Sequence, residues 1–321
     1  MKELDLLDRK ILYELDLNAR ASARQIAKKV KSSKETINFR IKRLIKEKYI
    51  KGFYTIFNTS KLGMYYYKTF LKLNRTTPEI EKKIIGFISS YKTCAYLGSC
   101  EGLFDIIFLI MVENARQFKE FLTELKEKFG NYILEKDIHS VLSTHKLNQK
   151  FLYNGTTSKH SFYQDNIEKI QMDKLDLKIM KILSTEARKG LVEMGEELKT
   201  DPKVIKYRMK NLEKKGIIIS YTAALNFEKL ELEFVQLNFS IKDLNKIPSI
   251  IDFFDNTNKC LFALEILGSY DLTIELHVQN DKELRKIIED FKEKFVEDYL
   301  NYDIFNIYKE HVIVWSPIAH S

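Results

Sequence analysis

Apolar residues recur at helical spacing through the first fifty positions of the chain, and the period then shortens to two. Leu7, Ile11, Leu12 and Leu15 share one helical face behind Asp5, which is placed to cap it. Ile26 and Val30 form the inner face of a second, short helix. A third is predicted from SSKE onward, where Ser32 and Glu35 have capping-box spacing, with Ile37, Ile41 and Leu44 as its inner stripe. The stretch YIKGFYTIFN that follows alternates, as a β-ribbon does. Beyond it YYYKTFLKL, CAYLGSC, FDIIFLIMV and ILEKDIHSVLST read as strands, with helical patterns in PEIEKKIIGFISSY and ARQFKEFLTELKEKF between them. That order is βαββαβ, the ferredoxin-like split βαβ.

The whole pattern then returns. Residues 7–63 align without a gap on residues 175–231 at an offset of 168, and Leu7, Asp8, Ile11, Leu15, Arg20, Ile37, Arg40 and Leu44 meet identical residues. Farther on, at an offset of 166, Cys94 meets Cys260, GLFD (102–105) meets GSYD (268–271) and His145 meets His311. Self-similarity of this kind means one two-part unit built twice. FVQLNFSI, LFALEIL, YDLTIELHV and IFNIYKEHVIVW supply the strands of the second copy, with IPSIIDFFDN and DKELRKIIEDFKEKF as its helices. The expected fold class is α+β. A winged helix-turn-helix domain at 1–63 precedes a ferredoxin-like domain at 64–147, and a linker at 148–171 gathers Asn, Gly, Thr and Ser. A second winged helix-turn-helix domain (172–231) and a second ferredoxin-like domain (232–321) follow. A four-stranded sheet with helices on one face leaves its other face apolar, so each copy is expected to cover the other in an internal pseudo-dimer.

Charge sharpens the reading of the first helices, which by pattern alone would also suit a small domain for protein contact. The chain carries a formal +8, yet residues 1–63 alone hold 16 Lys+Arg against 7 Asp+Glu, a net of +9, so everything after them is slightly acidic. Two short helices, a basic third helix and a ribbon describe a winged helix-turn-helix whose last helix enters the major groove while flanking cations hold phosphates. With its stripe turned inward, the third helix presents Glu35, Thr36, Phe39, Lys42, Arg43 and Lys46, flanked by Lys34, Asn38 and Arg40. The candidate contacts to double-stranded DNA are therefore Ser33, Lys34, Thr36, Asn38, Phe39, Arg40, Lys42 and Arg43, with Lys206, Tyr207 and Lys210 in the second copy. Residues 172–231 hold 13 Lys+Arg and 10 Asp+Glu, and Glu193, Glu196 and Glu197 stand where the first copy has Gln25, Lys28 and Lys29. Carboxylates there face phosphates at a cost, so the second copy is expected to read DNA more weakly and the site to be asymmetric.

Other chemistry finds no support. Cys94, Cys100 and Cys260 are odd in number and form no C-x-x-C, which points to buried reduced thiols and to no metal. There is no G-x-x-x-x-G-K-[ST], H-E-x-x-H or G-x-S-x-G, hence no expected cofactor and no catalytic residue to assign. No stretch approaches the roughly 18–20 apolar residues of a membrane span, and MKELDLLDRKI lacks a signal-peptide core, so a cytoplasmic protein is expected.

The run LDLLDRKILYELDLNARASARQIAKKVKSSKETINFRIKRLIKEKYIKGF resembles the DNA-binding domain of the leucine-responsive and asparagine-responsive (Lrp/AsnC, feast/famine) regulators of prokaryotes. The resemblance extends to the βαββαβ part and to both copies. It rests on Leu7 to Leu12, on the helix Arg40 to Leu44 with its counterpart Arg208 to Leu212, and on the Gly-x-aromatic-Asp turns. It implies a transcriptional regulator that dimerises through its second domain and binds a small effector such as an amino acid; family members also stack dimers into larger rings, as two fused units could, and the resemblance leaves that assembly open. Family effectors sit near the turn, which corresponds here to Gly102, Phe104 and Asp105 and to Gly268, Tyr270 and Asp271. The bare alternative is that each Asp only satisfies backbone amides. Two extra residues of the first copy, assigned to its YLGSCEG approach, predict unequal effector sites. The same architecture also forms the sirohaem decarboxylases, for which Tyr65, Tyr66, Tyr67, His139, His145 and His311 would be polar candidates. A small-molecule sensor that ignores DNA is a third reading. A basic third helix has no part in decarboxylation, so the regulator is preferred.

Overall fold

A computed structural model of the chain describes residues 4–147, 149–153, 161–163, 167 and 169–314; parts of the expected linker, and residues 315–321 of the expected last domain, lie outside them. The first copy runs α1 (Leu6–Leu17), α2 (Ala23–Val30), α3 (Lys34–Lys46), β1 (Ile50–Phe57), β2 (Tyr65–Leu73), α4 (Pro78–Ser90), β3 (Cys94–Glu101), β4 (Ile106–Val112), α5 (Ala115–Phe129) and β5 (Ile133–Lys146). A short β6 (Ser161–Tyr163) precedes the second copy. That copy runs α6 (Lys174–Thr185), α7 (Leu191–Leu198), α8 (Pro202–Lys214), β7 (Ile218–Leu225), β8 (Glu233–Ile241), α9 (Ile247–Asn256), β9 (Cys260–Leu267), β10 (Leu272–Val278), α10 (Asp281–Phe295) and β11 (Tyr299–Ile313).

Asp5 caps α1 in a reciprocal box with Asp8. The cap of α3 is Ser33, one residue later than the spacing predicts. Lys31 takes the left-handed conformation and the Ser32 amide bonds back to the Ala27 carbonyl at 3.0 Å, so Ser32 still closes α2. Ser33 then accepts from the Thr36 amide at 3.0 Å.

The ribbon after the third helix is not a hairpin inside one copy. β1 pairs antiparallel with β7 of the other copy, with Tyr54 opposite Thr222 and Thr55 opposite Tyr221, so the two helix-turn-helix units share one two-stranded ribbon. An alternating run records that a strand has a partner, not which strand the partner is.

The ferredoxin-like parts also join more completely than two stacked sheets. Within the copies the orders are β5–β2–β4–β3 and β11–β8–β10–β9. β3 pairs with β11 and β5 with β9, so both edges of each sheet are taken by the other copy and the eight strands close into a barrel, with β6 added outside β5. Closure removes the open edges that four-stranded sheets would leave. α4 and α5 cover one half of the outside, packing Phe121 of α5 over Leu71, Phe108 and Ile110, and α9 and α10 cover the other, packing Phe291 of α10 over Leu237, Phe239 and Ile274. The interior is filled by Phe70, Phe104, Ile107, Leu109, Met111 and Phe305, and Ile56 of the shared ribbon packs on Phe262, Leu264 and Ile266 of β9.

The start of the expected linker is structural. Lys146 and the Gln149 amide bind the fully buried Asp16 of α1 at 3.2 and 3.1 Å, Lys150 binds Asp255 of α9 at 2.7 Å, and Leu152 is buried in the core of the first helix-turn-helix. The two extra residues of the first copy are also elsewhere than the sequence comparison put them. β3 and β9 have eight residues each and both turns have the same length, while α4 has 13 residues against 10 in α9. The insertion lies in the outer helical crossover, so it gives no ground for unequal turns.

Candidate nucleic-acid interface

In each copy the last helix of the trihelical unit turns one face to solvent. On α3 the exposed residues are Lys34, Glu35, Asn38, Phe39, Lys42, Ile45 and Lys46, with 66% of Phe39 accessible. On α8 they include Lys203, Val204, Lys206, Tyr207 and Lys210, with 63% of Tyr207 accessible. Phe39 and Tyr207 occupy equivalent positions. An aromatic left this exposed amid cations suits a base edge or a thymine methyl better than it suits water.

The structure separates the basic residues that the sequence grouped together. Arg40 binds Asp5 at 2.5 Å and Asp8 at 2.9 Å, and Arg43 binds the other oxygen of Asp8, with Glu47 at 3.8 Å. Asp8 is fully buried, so these two guanidiniums fasten α3 to α1 before they meet any DNA. The second copy repeats half of this: Arg208 binds Asp173 at 2.6 Å and Asp176 at 3.5 Å, and Asn211 replaces the second arginine. Ser33 and Thr36 are engaged with one another at 2.8 Å in the cap. Of the candidate contacts, Lys34, Asn38, Phe39 and Lys42 thus remain outward and unengaged by the fold on α3, and Lys206, Tyr207 and Lys210 remain outward on α8. On α7, Glu193 caps Gly190 at 3.0 Å and Glu197 holds Lys189 at 2.5 Å.

The two units are tied to each other. Arg20 donates to the carbonyls of Ala187 (2.6 Å) and Lys189 (3.1 Å), and Arg188 donates to those of Ala19 and, at 3.2 Å, Ala21. Lys61 reaches the Lys215 carbonyl at 2.9 Å and Lys229 the Glu47 carbonyl at 2.8 Å. Every one of these contacts has its counterpart at the offset of 168. Sequence reading missed Arg20 and Arg188, although their identity in the repeat was the available signal.

The Gly-x-aromatic-Asp turns lie at the barrel, each against the other copy's last strand. Asp105 accepts from the Leu73 amide at 2.7 Å and pairs with Lys72 at 3.0 Å; Asp271 accepts from the Ile241 amide at 2.7 Å. Gly102 has φ +131°, and a Cβ there would meet the Ile304 carbonyl at 2.8 Å, whereas a Cβ on Gly268 would collide with the His139 imidazole. Tyr270, His139, Phe70, Phe305 and Phe104 form an unbroken series of ring contacts from one turn to the other, with centroids 5.3 to 5.6 Å apart along Tyr270–His139–Phe70–Phe104. These rings occupy the space between the two turns near which the resemblance implies an effector. His139 Nε2 lies 2.8 Å from Asp137. Burial alone would raise Asp137, but the hydrogen bonds from His139 and Ser269 hold it below the usual range.

Of the other described histidines named as candidates, His145 and His311 each face a serine. His145 Nε2 faces both Ser143 at 3.3 Å and Glu265 at 3.0 Å, and a single ring nitrogen cannot accept from a serine while donating to a carboxylate. His311 Nε2 meets Ser99 at 2.8 Å. Tyr65 is partly exposed, Tyr66 is buried in the barrel, and Tyr67 stacks on Phe118 at 4.3 Å outside it. A cavity of about 120 Å³ opens between the end of the first ribbon strand and β5, lined by Thr59, Ser60, Ser140, Ser143 and Thr144 together with the candidates Tyr65 and Tyr66. Among the described residues no group of His, Cys, Asp and Glu has the arrangement of a metal site, and no helix is long and apolar enough to cross a membrane.

Comparison with known proteins agrees with this geometry. The family described as winged helix-turn-helix DNA-binding matches residues 4–51 and again residues 172–219. HTH-type transcriptional regulator Ptr1 of Methanocaldococcus jannaschii is 33% identical over 101 residues, which are 31% of this chain and 68% of that protein. The proline dehydrogenase transcriptional activator of Rhizobium radiobacter is 32% identical over 126 residues, 38% of this chain and 79% of that protein. Among solved structures, the siroheme decarboxylase NirDL superposes with a TM-score of 0.66 over 98% of this chain and 96% of that one at 11% identity, a likeness of fold.

Proposed function

This chain belongs to the Lrp/AsnC family of DNA-binding transcriptional regulators, and we propose that it reads an asymmetric operator through two unequal recognition helices carried on one polypeptide. The observation that carries the proposal is the contrast between α3, with Lys34, Asn38, Phe39 and Lys42 exposed beside a net +9 domain, and α8, whose neighbouring helix α7 presents Glu193, Glu196 and Glu197. Base contacts come from both outward faces and phosphate contacts mainly from the first. The shared ribbon and the Arg20–Arg188 clamp fix the spacing of the half-sites. Sequencing the fragments that the purified full chain retains from randomised DNA tests this. A strong half-site beside a weaker, different one is expected, and a perfect palindrome would refute it.

The chain acts as a regulator and not as a decarboxylase: a tetrapyrrole between the copies would have to displace Phe70, Phe104 and Phe305, which already fill the barrel. A small effector, such as an amino acid, is proposed to modulate it. At the turns an effector amine has to compete with the Leu73 and Ile241 amides for Asp105 and Asp271, so the hydroxyl-lined cavity beside Thr59 and Ser60 is the better seat. It adjoins the segment that joins the first DNA-binding domain to the barrel, which places bound ligand where it can bias the two against each other. A thermal-shift screen of amino acids on wild type and Ser143→Leu separates the two seats from each other and from no effector at all.

A further inference from the structure

Lys68 is an ammonium group buried inside a barrel, only 1% exposed. It lies at the centre of β2 on the inner face and reaches across to the second copy, where Gln236 Oε1 is 2.8 Å and Glu275 Oε1 3.3 Å from its Nζ. Gln236 passes the network to Asn238 at 2.9 Å, which Thr273 also binds at 2.8 Å. Desolvation presses Lys68 down and Glu275 up, and their mutual attraction opposes both.

The repeat gives this pair its meaning. Lys68 stands opposite Leu109 on β2 and β4, and the matching positions on β8 and β10 are Gln236 opposite Glu275. The first copy therefore contributes a cation and an apolar residue, and the second an amide and a carboxylate. We propose that Lys68 and Glu275 form a pairing code on the two inner sheet faces, so that each half accepts only the unlike half of the chain as partner and rejects a second copy of itself. If two first halves met with the same geometry, Lys68 would face Lys68 and Leu109, burying two ammonium groups with no carboxylate. If two second halves met, two Glu275 carboxylates would be buried with no cation. Only the unlike pairing is neutral, and uncompensated buried charge is what selects against the others. Glu310 repeats the polarity: it too lies in the second copy and feels Lys51 of the first, while their counterparts are Thr144 and Ile219. A buried ion pair seldom beats well-packed apolar residues for stability, so a role in choosing the partner explains its retention better than strength does.

Five forms of the full chain test this: wild type, Lys68→Glu, Glu275→Lys, the swap K68E/E275K, and K68Q/E275L, which copies each position from the other half. Melting midpoints are measured, then each protein is unfolded in guanidinium, refolded at several concentrations, and the number of chains per particle read by light scattering. Each single reversal is expected to lower the midpoint by roughly 5–15 °C, and the swap to recover most of it. K68Q/E275L is expected to melt within a few degrees of wild type yet to refold with more interlinked multi-chain species as concentration rises. Single reversals no worse than the swap would overturn the proposal. So would K68Q/E275L refolding with the same distribution as wild type, a result that decides the matter even where a reversal fails to fold.

Discussion

Arg20 and Arg188 make the same contact in opposite directions: each guanidinium enters the other DNA-binding unit and donates to the two carbonyls that flank its counterpart, Ala187 and Lys189 in one case, Ala19 and Ala21 in the other. Each also lies over an aromatic of the shared ribbon, Tyr221 at 5.6 Å and Phe53 at 5.2 Å. Burial lowers both pKa values, but an arginine stays charged regardless. Arg20→Ala is expected to remove about 1–3 kcal/mol of stability and to weaken DNA binding without altering the salt slope, because the clamp holds two readers and touches no phosphate. Denaturant unfolding and titrations at several salt concentrations check this, and a flattened slope would move Arg20 to the DNA.

Lys42 and Arg43 are neighbours with different duties. Lys42 is exposed on α3, so Lys42→Ala is expected to reduce the slope of log affinity against log salt by about 0.9 with little change in stability. Lys210→Ala on α8 should change the slope less. Equal changes at the two positions would argue against the asymmetric reading.

Arg43→Ala is expected to behave differently, because the fully buried Asp8 loses one of its two guanidinium partners. Stability should fall by about 2–4 kcal/mol, and affinity should fall only as far as α3 loses its seat on α1. Arg43→Ala with unchanged unfolding but lost binding would mean that the side chain leaves Asp8 for DNA.

Two buried groups, His277 and Glu310, should make stability depend on pH in opposite senses. His277 sits between the rings of Phe227 and Phe234, and burial pushes it down to about 3 from 6.5. Its contribution is complete above about 6.5 and is lost as pH falls toward 3, by about 4–5 kcal/mol in all. Glu310 is raised by burial to about 7 from 4.5, so its contribution is complete below 4.5 and is lost as pH rises through 7. Between about pH 4.5 and 6.5 the two offset one another. His277→Met, which copies Met111 of the first half, should therefore reveal stability that declines as pH rises from 4.5 to 7. A pH profile parallel to wild type would show that His277 does not titrate as described.

Much of this protein could be read from its residues alone. The helix stripes, the βαββαβ order and the duplication follow from periodicity, because local burial on one face imposes a period of 3.6 or 2 wherever the fold places the element. α9 and α10 begin and end at the residues the pattern gave, Ile247–Asn256 and Asp281–Phe295. Charge singled out the candidate nucleic-acid face for a similar reason, since net charge sums over residues without regard to their partners. What depended on partners was decided only in three dimensions. Alternation at 50–57 could not say that β1 would pair with β7 across the repeat, nor could four edge strands announce that they would close a barrel. Arg40, Lys42 and Arg43 look alike in a row of basic residues, and only the buried carboxylate of Asp8 separates the two anchored arginines from the exposed lysine. Gly-x-aromatic-Asp does not say where its aromatic points, and the fold buries both Phe104 and Tyr270 at the barrel. Nothing in YYYKTFLKL marks Lys68 as a buried ammonium group. Its partner Glu275 is 207 residues away, a separation over which only the tertiary fold brings the two charges together and excludes water from them.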